Sequence, residues 1–116
     1  MPRRTPKPLS LPVLHILVTL ADGPHHGYAI KQAVEERTEG AIRLGPGTLY
    51  EAIQRLAEGG LIAEETPNDP VNGQEAQRRY YKLTERGWTA LRAELRLVGS
   101  LVEHARANAR LRKGLA

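Results

Sequence analysis

The chain contains no cysteine. Disulfides, thiolate metal sites and cysteine nucleophiles are therefore excluded. No apolar run is long enough to cross a bilayer. The longest, Leu9 to Leu20, is short and is interrupted by Pro12, His15 and Thr19. The basic start of the chain is not followed by an apolar signal core and a small-residue cleavage site. These features predict a soluble, cytoplasmic protein with no membrane partner. Catalytic signatures are missing as well. There is no Gly-x-Ser-x-Gly, no phosphate-binding loop and no carboxylate pair in an apolar setting. Glu35-Glu36 and Glu64-Glu65 read as solvated charges. The four histidines are His15, the adjacent pair His25 and His26, and His104. No spacing puts two imidazoles on one helical face beside a third ligand. Neither a metal nor a cofactor nor an enzymatic activity is expected, and no internal repeat is present.

What is there fits one small domain of 116 residues, 41% of them hydrophobic. Seventeen Lys and Arg residues oppose thirteen Asp and Glu, a formal net charge of +4. A modest positive excess permits nucleic-acid binding without requiring it. Arginine supplies most of it, and arginine suits bidentate contacts to phosphates and guanine edges.

Residues 1–8, with Arg3, Arg4 and Lys7 beside three prolines, predict a disordered basic arm. Ser10 can cap a first helix, with Pro12 in its first turn. Leu11, Val13, Leu14, Ile16, Leu17, Val18 and Leu20 cover almost every side of that helix. A helix apolar all round needs cover on more than one side, and a second subunit would supply it in a chain this small. Asp22-Gly23-Pro24 ends the helix. A second helix is predicted from about His26 to Thr38, then a short extended piece from Ala41 to Leu44. A third helix follows from Pro46 to Glu58, with Leu49, Ala52, Ile53 and Leu56 at helical spacing. Leu61 to Glu65 and Arg78 to Leu83 predict a β-hairpin whose tip, residues 66–75, is rich in turn formers. Thr84 can cap a last helix from Glu85 to about Arg112. Its apolar residues Trp88, Leu91, Leu95, Val98, Val102, Ala105 and Ala109 alternate steps of three and four, a coiled-coil seam.

The expected fold is mostly α with a small β-hairpin: a winged helix-turn-helix at 9–84 and a dimerisation helix at 85–116. In that architecture the third helix enters the major groove of DNA and the hairpin reaches a neighbouring groove or phosphate. Gly47 allows close backbone approach. Thr48 and Tyr50 offer hydroxyl donors, and Gln54 and Arg55 reach further. The competing reading of this helix is an ordinary solvated face. The dimer seam is expected to use Leu14 and Leu17 of the first helix with Leu91, Leu95, Val98 and Val102 of the last.

Five blocks carry a resemblance. They are His26-Gly27-Tyr28, Gly47-Thr48-Leu49-Tyr50, Arg55-Leu56, Gly60-Leu61-Ile62, and Arg79-Tyr80-Tyr81-Lys82-Leu83-Thr84-Glu85-Arg86-Gly87. In this order and spacing they resemble the PadR family of transcriptional regulators, over roughly residues 9 to 95. The single C-terminal helix is similar to that of the small subfamily. Ala57 and Gly59 depart from the acidic residues common near those positions. The resemblance implies DNA binding as a homodimer, usually in repression of a palindromic site. It favours a phosphate clamp formed by Arg78 and Arg79, beside Lys82, at the wing base, over the competing reading of an ordinary solvated strand edge. It also implies that Tyr28, with Lys31 one turn on, lies near the DNA backbone, where Tyr28 either contacts phosphate or packs its ring with the hydroxyl left wet. Trp88, with Leu91 and Leu95, is either packing or the lining of an interfacial pocket for a flat, hydrophobic effector. A third reading is a winged-helix module that binds protein alone.

Overall fold

The computed structural model describes residues 8–65 and 78–115. The basic arm expected at 1–8 lies outside the described residues except for Pro8, and the expected hairpin tip at 66–75 lies outside them entirely.

The first helix, α1 (Leu11–Ala21), starts where the Ser10 hydroxyl accepts the Val13 N–H at 3.4 Å. It is the centre of the molecule. Leu14, Ile16, Leu17, Thr19 and Leu20 are buried by the elements around it. Gly23, with φ at +138°, turns the chain where a side chain would be strained. A two-residue strand, β1 (His25–His26), leads into α2 (Gly27–Arg37), which buries Ile30 and Val34. Thr38 closes α2. Its hydroxyl donates to the Val34 carbonyl at 2.8 Å and accepts from the Ile42 N–H at 3.1 Å.

The extended piece expected at Ala41–Leu44 forms no strand. The Thr38 hydroxyl takes the Ile42 N–H, and Leu44 enters the core as a plug. The third strand of the sheet is β1 instead. Two residues are too few to show a period of two, so pattern alone cannot reveal them.

The third helix, α3 (Pro46–Glu58), follows with Pro46 in its first turn and Leu49, Ile53 and Leu56 buried. Strands β2 (Ile62–Glu65) and β3 (Tyr80–Leu83) are antiparallel, with Ile62 opposite Leu83 and Glu65 opposite Tyr80. β1 joins the other edge of β3, His25 opposite Tyr81 and His26 opposite Tyr80, giving the order β1-β3-β2.

The long helix α4 (Glu85–Arg106) begins at Thr84, whose hydroxyl accepts the Gly87 N–H at 3.0 Å and donates to the Gly60 carbonyl. Gly87 is required there. A Cβ at this position would lie 2.0 Å from the Leu61 carbonyl oxygen. The single helix expected to reach Arg112 is broken at Asn108. Its side chain accepts the N–H groups of Arg110 and Leu111 at 3.0 and 3.2 Å and starts a separate turn, α5 (Ala109–Arg112). An asparagine whose side chain bonds nearby backbone competes with helix continuation. Ala109 therefore lies beyond the seam rather than on it. Among the described residues, no helix is long and apolar enough to cross a membrane.

Candidate nucleic-acid interface

The side of α3 opposite the core is open. Pro46, Gly47, Thr48, Tyr50, Glu51, Gln54 and Arg55 are all exposed, Tyr50 by 54%. The structure divides them into two groups. Tyr50 turns toward the start of α2 and the wing base. There it borders a cleft of about 390 Å³ with His26, Gly27, Tyr28, Arg78, Arg79 and Tyr81. Thr48, Glu51 and Arg55 turn the other way and line a largely apolar groove of about 430 Å³ against Leu9, Pro12 and Val13. Gln54 lies between and donates to the Glu58 carboxylate at 3.3 Å. Gly47 has open space around its α-carbon.

Local chemistry fixes the cleft. Gly27 is buried against the Tyr50 ring, so the tyrosine crosses the first turn of α2 at close range. Tyr28 stands exposed on that turn, and its hydroxyl accepts from the Gln32 amide at 3.2 Å. Lys31 is half-buried and paired with Glu35 at 3.0 Å along the same helix. The two strand tyrosines divide as alternation requires: Tyr81 is buried and Tyr80 is half-buried. Burial, reinforced by the Glu64 carboxylate, pushes the Tyr81 phenol up from its ordinary value, against the opposing pull of Arg79. It stays neutral and keeps its proton. Arg79 pairs with Glu64 at 3.5 Å and Lys82 with Glu65 at 3.3 Å. The Arg79 pair is mostly exposed on both sides, and such pairs contribute little to stability.

His26 was not among the expected site residues, yet the structure places it inside the cleft. Its Nδ1 caps α2 by accepting the Ala29 N–H at 3.1 Å, and its ring meets Tyr80 edge-on with centroids 5.3 Å apart. Histidine is outside the usual set of capping residues, so sequence gives no warning of this role.

The residues expected at a dimer seam also divide. Leu17 is 0% exposed within its own chain and Leu91 only 3%, so neither has surface left for a partner. Leu14 is buried too, although it reaches the floor of a cleft of about 190 Å³. Leu95 and Val98 border that cleft beside Leu11, Val18, His15 and Arg37, and Val102 is half-buried further along. Leu11, Leu95 and Val98 form an exposed apolar face across α1 and α4. A second apolar pair on α4, Leu97 and Leu101, is 60% and 68% exposed and was not anticipated. Trp88 is half-buried and packed on the core, and Leu91 lies inside it. Among the described residues, Leu95 lines the α1 cleft, and the lining of that cleft includes neither Trp88 nor Leu91.

His15 sits at the rim of this face. Arg37 donates to its Nδ1 at 3.1 Å and its carbonyl at 3.3 Å, and to the buried Thr19 hydroxyl at 2.8 Å. Burial first, then the Arg37 charge, holds the His15 imidazole below its ordinary value.

A profile described as the transcriptional regulator PadR-like family matches residues 16–93. The chain belongs to the PadR-like family. This PadR-like chain is 36% identical over 88 residues to the transcriptional regulator Rv3488 of Mycobacterium tuberculosis, covering 76% of each. It is 38% identical over 94 residues to a 37.1 kDa transposon protein of Streptomyces fradiae, covering 78% of this chain but only 25% of that longer protein. The fold matches that of a transcriptional regulator from Clostridium thermocellum, with a TM-score of 0.67 and 22% identity over 84% of this chain and 89% of that one. It also matches Bacillus subtilis PadR, solved in complex with operator DNA, with a TM-score of 0.61 and 24% identity over 72% of this chain and 45% of that one. The PadR-like chain thus has the winged-helix fold expected of it, with a three-stranded sheet in place of a bare hairpin.

Proposed function

We propose that this PadR-like regulator binds double-stranded DNA as a homodimer and represses transcription from a roughly palindromic operator. The carrying observation is the convergence of Tyr28, Tyr50, Arg78 and Arg79 on one cleft beside the exposed side of α3. Two arginines and two exposed phenols suit a phosphodiester backbone, while Gly47, Thr48, Gln54 and Arg55 along α3 suit base edges. The same fold accepts operator DNA in Bacillus subtilis PadR. In this reading residues 9–84 form the DNA-binding unit and residues 85–116 the dimerising segment. Lys31 holds the second turn of α2 through Glu35 and contributes at most a peripheral phosphate contact.

The dimer reading rests on the apolar face of Leu11, Leu95 and Val98. With two copies joined there, two α3 helices would address successive major grooves, about one helical turn apart or a small multiple of it. An effector that alters this spacing would alter DNA affinity. The cleft at Leu95 and Val98, rather than Trp88, is where such a molecule would enter.

Selection from a random DNA pool, followed by a salt titration on the recovered duplex, tests the reading. A palindromic consensus and an affinity that falls steeply with salt are expected. Recovery of no DNA above background would leave the protein-binding alternative.

A further inference from the structure

The outward centre of α3 is held by an acid. At about 100° per residue, Ile53 and Leu56 lie within about 40° of Leu49 around the helix, and Glu51 lies about 200° from Leu49, opposite the buried side. Gly47, one turn earlier, carries no side chain and has open space around it. Glu51 is therefore the first side chain that the middle of this face presents, and it was not among the expected site residues. Glu58 follows two turns on, but the Gln54 amide donates to its carboxylate at 3.3 Å. Glu51 is exposed, and among the described residues its carboxylate has no hydrogen-bond or ion-pair partner. Arg55 stands one turn on, at a spacing that allows an ion pair, yet the two do not pair.

A carboxylate beside a phosphate is unfavourable, because like charges repel. Tyr50, about 100° round the helix, borders the cleft with Arg78 and Arg79 that suits the DNA backbone, so the Glu51 side of α3 is the side left for base edges. In the major groove only cytosine offers a carboxylate a donor with no acceptor beside it on the same base, its N4 amino group. Guanine presents O6 and N7, thymine presents O4, and adenine sets its N7 acceptor next to its N6 amino group. We propose that Glu51 reads one cytosine per α3 by accepting a hydrogen bond from its N4 amino group, and disfavours the other three bases by facing them with an acceptor. The assignment rests on the DNA-binding reading above and adds to it a base and the residue that selects it. Specificity then comes from repulsion as much as from attraction. Arg55 offsets the charge of the carboxylate, and its guanidinium suits the O6 and N7 acceptors of a guanine at the same or the adjoining pair. On the other flank Leu9, Pro12 and Val13 bring apolar side chains, which supply no competing charge.

The test selects bound duplexes from one random DNA pool with the full wild-type chain, with Glu51→Ala and with Glu51→Gln. Both replacements are good helix formers at an exposed position, so melting temperatures are expected to stay near that of the wild type. The wild-type consensus should contain a fixed cytosine that becomes any base with Glu51→Ala, while the other positions keep their preferences. Replacing that cytosine in the selected duplex should weaken wild-type binding roughly tenfold and leave Glu51→Ala binding nearly unaltered. Affinity of Glu51→Ala for random-sequence duplex should rise, because a negative charge facing DNA is gone. Glu51→Gln should enrich adenine at the same position, since its amide both donates and accepts. An unchanged consensus with Glu51→Ala overturns the assignment. A uniform rise in affinity with no altered base preference also overturns it, and leaves Glu51 as a solvated charge. Loss of preference at every position overturns it too, since Glu51 would then place the helix rather than read a base. A wild-type chain that recovers no duplex sinks the DNA reading itself, a result distinct from all of these.

Discussion

Tyr50 and Gly27 are matched: a Cβ added at Gly27 would lie 2.9 Å from the Tyr50 hydroxyl oxygen and 3.2 Å from its ring carbon Cζ. The contact aims an exposed phenol from α3 across the first turn of α2. Because the contacting atoms are the far end of a mobile side chain, the fold can yield without breaking. Gly27→Ala is expected to cost little stability, about 1 kcal/mol or less. It should weaken DNA binding several-fold by displacing Tyr50, and the loss should vanish when Tyr50→Phe is already present. A double-mutant cycle on DNA affinity checks this. Additive losses would mean the two residues act separately.

The second glycine contact is of another kind. Gly87 meets backbone, the Leu61 carbonyl, and backbone cannot swing aside. Gly87→Ala is expected to destabilise the chain by about 2 kcal/mol or more, a fall in melting temperature of roughly 8 °C for a domain of this size. A thermal melt within a few degrees of the wild type would show that α4 can slide along β2.

Charge on the exposed face should separate dimerisation from folding. Leu95 is exposed and Val102 only half-buried in the single chain, so the long side chains of Glu and Lys can keep their charges in solvent there. Leu95→Glu with Val102→Lys is expected to leave a folded monomer in sedimentation velocity, and to abolish specific DNA binding with it. An intact dimer for this double variant would move the interface elsewhere, with Leu97 and Leu101 the next candidates.

Arg79 should contribute affinity without base preference. Arg79→Ala is expected to weaken binding to every duplex and to lower the salt slope by about 0.9. Loss of a single base preference at an unchanged slope would make it a reader of bases.

Stability should also depend on one histidine. Burial and Arg37 hold the folded His15 below its ordinary value of 6.5, so between the two values the unfolded chain binds more protons than the native one. Stability is therefore complete above that ordinary value, falls as pH drops through it, and levels off below the folded value. Denaturant melts from pH 7.5 to 5 should show the decline, and His15→Gln should flatten it. An identical decline in the variant would place the proton uptake at another histidine.

Much of this was legible from sequence for stated reasons. Capping residues Ser10 and Thr84 and the prolines at 12 and 46 mark helix starts, and helical spacing in α3 is unambiguous. The family resemblance rested on short blocks that the fold places near α3, the wing base and the start of α4. What was not legible depends on distance through space. Nothing local distinguishes Leu17, sealed by its own chain, from Leu95, left open, because both satisfy the same apolar pattern. The two histidines of β1 become a strand only when β3 arrives beside them. The break at Asn108 comes from one side chain outbidding the helix for two backbone N–H groups.

Thr84 also makes the molecule a lever. Its hydroxyl grips the Gly60 carbonyl at the end of α3 while its backbone and side chain begin α4, and Gly87 lets α4 press directly on Leu61. The joint between head and shaft is thereby locked at both contacts. A helix of 22 residues is about 33 Å long, so tilting it by about 5° at this joint displaces its far end by roughly 3 Å. In the proposed dimer, a shift of that size where the two shafts meet would swing each head, α3 included, by the same angle. The spacing between the heads of that proposed dimer would then be set by how the shafts cross, without any bending inside the head.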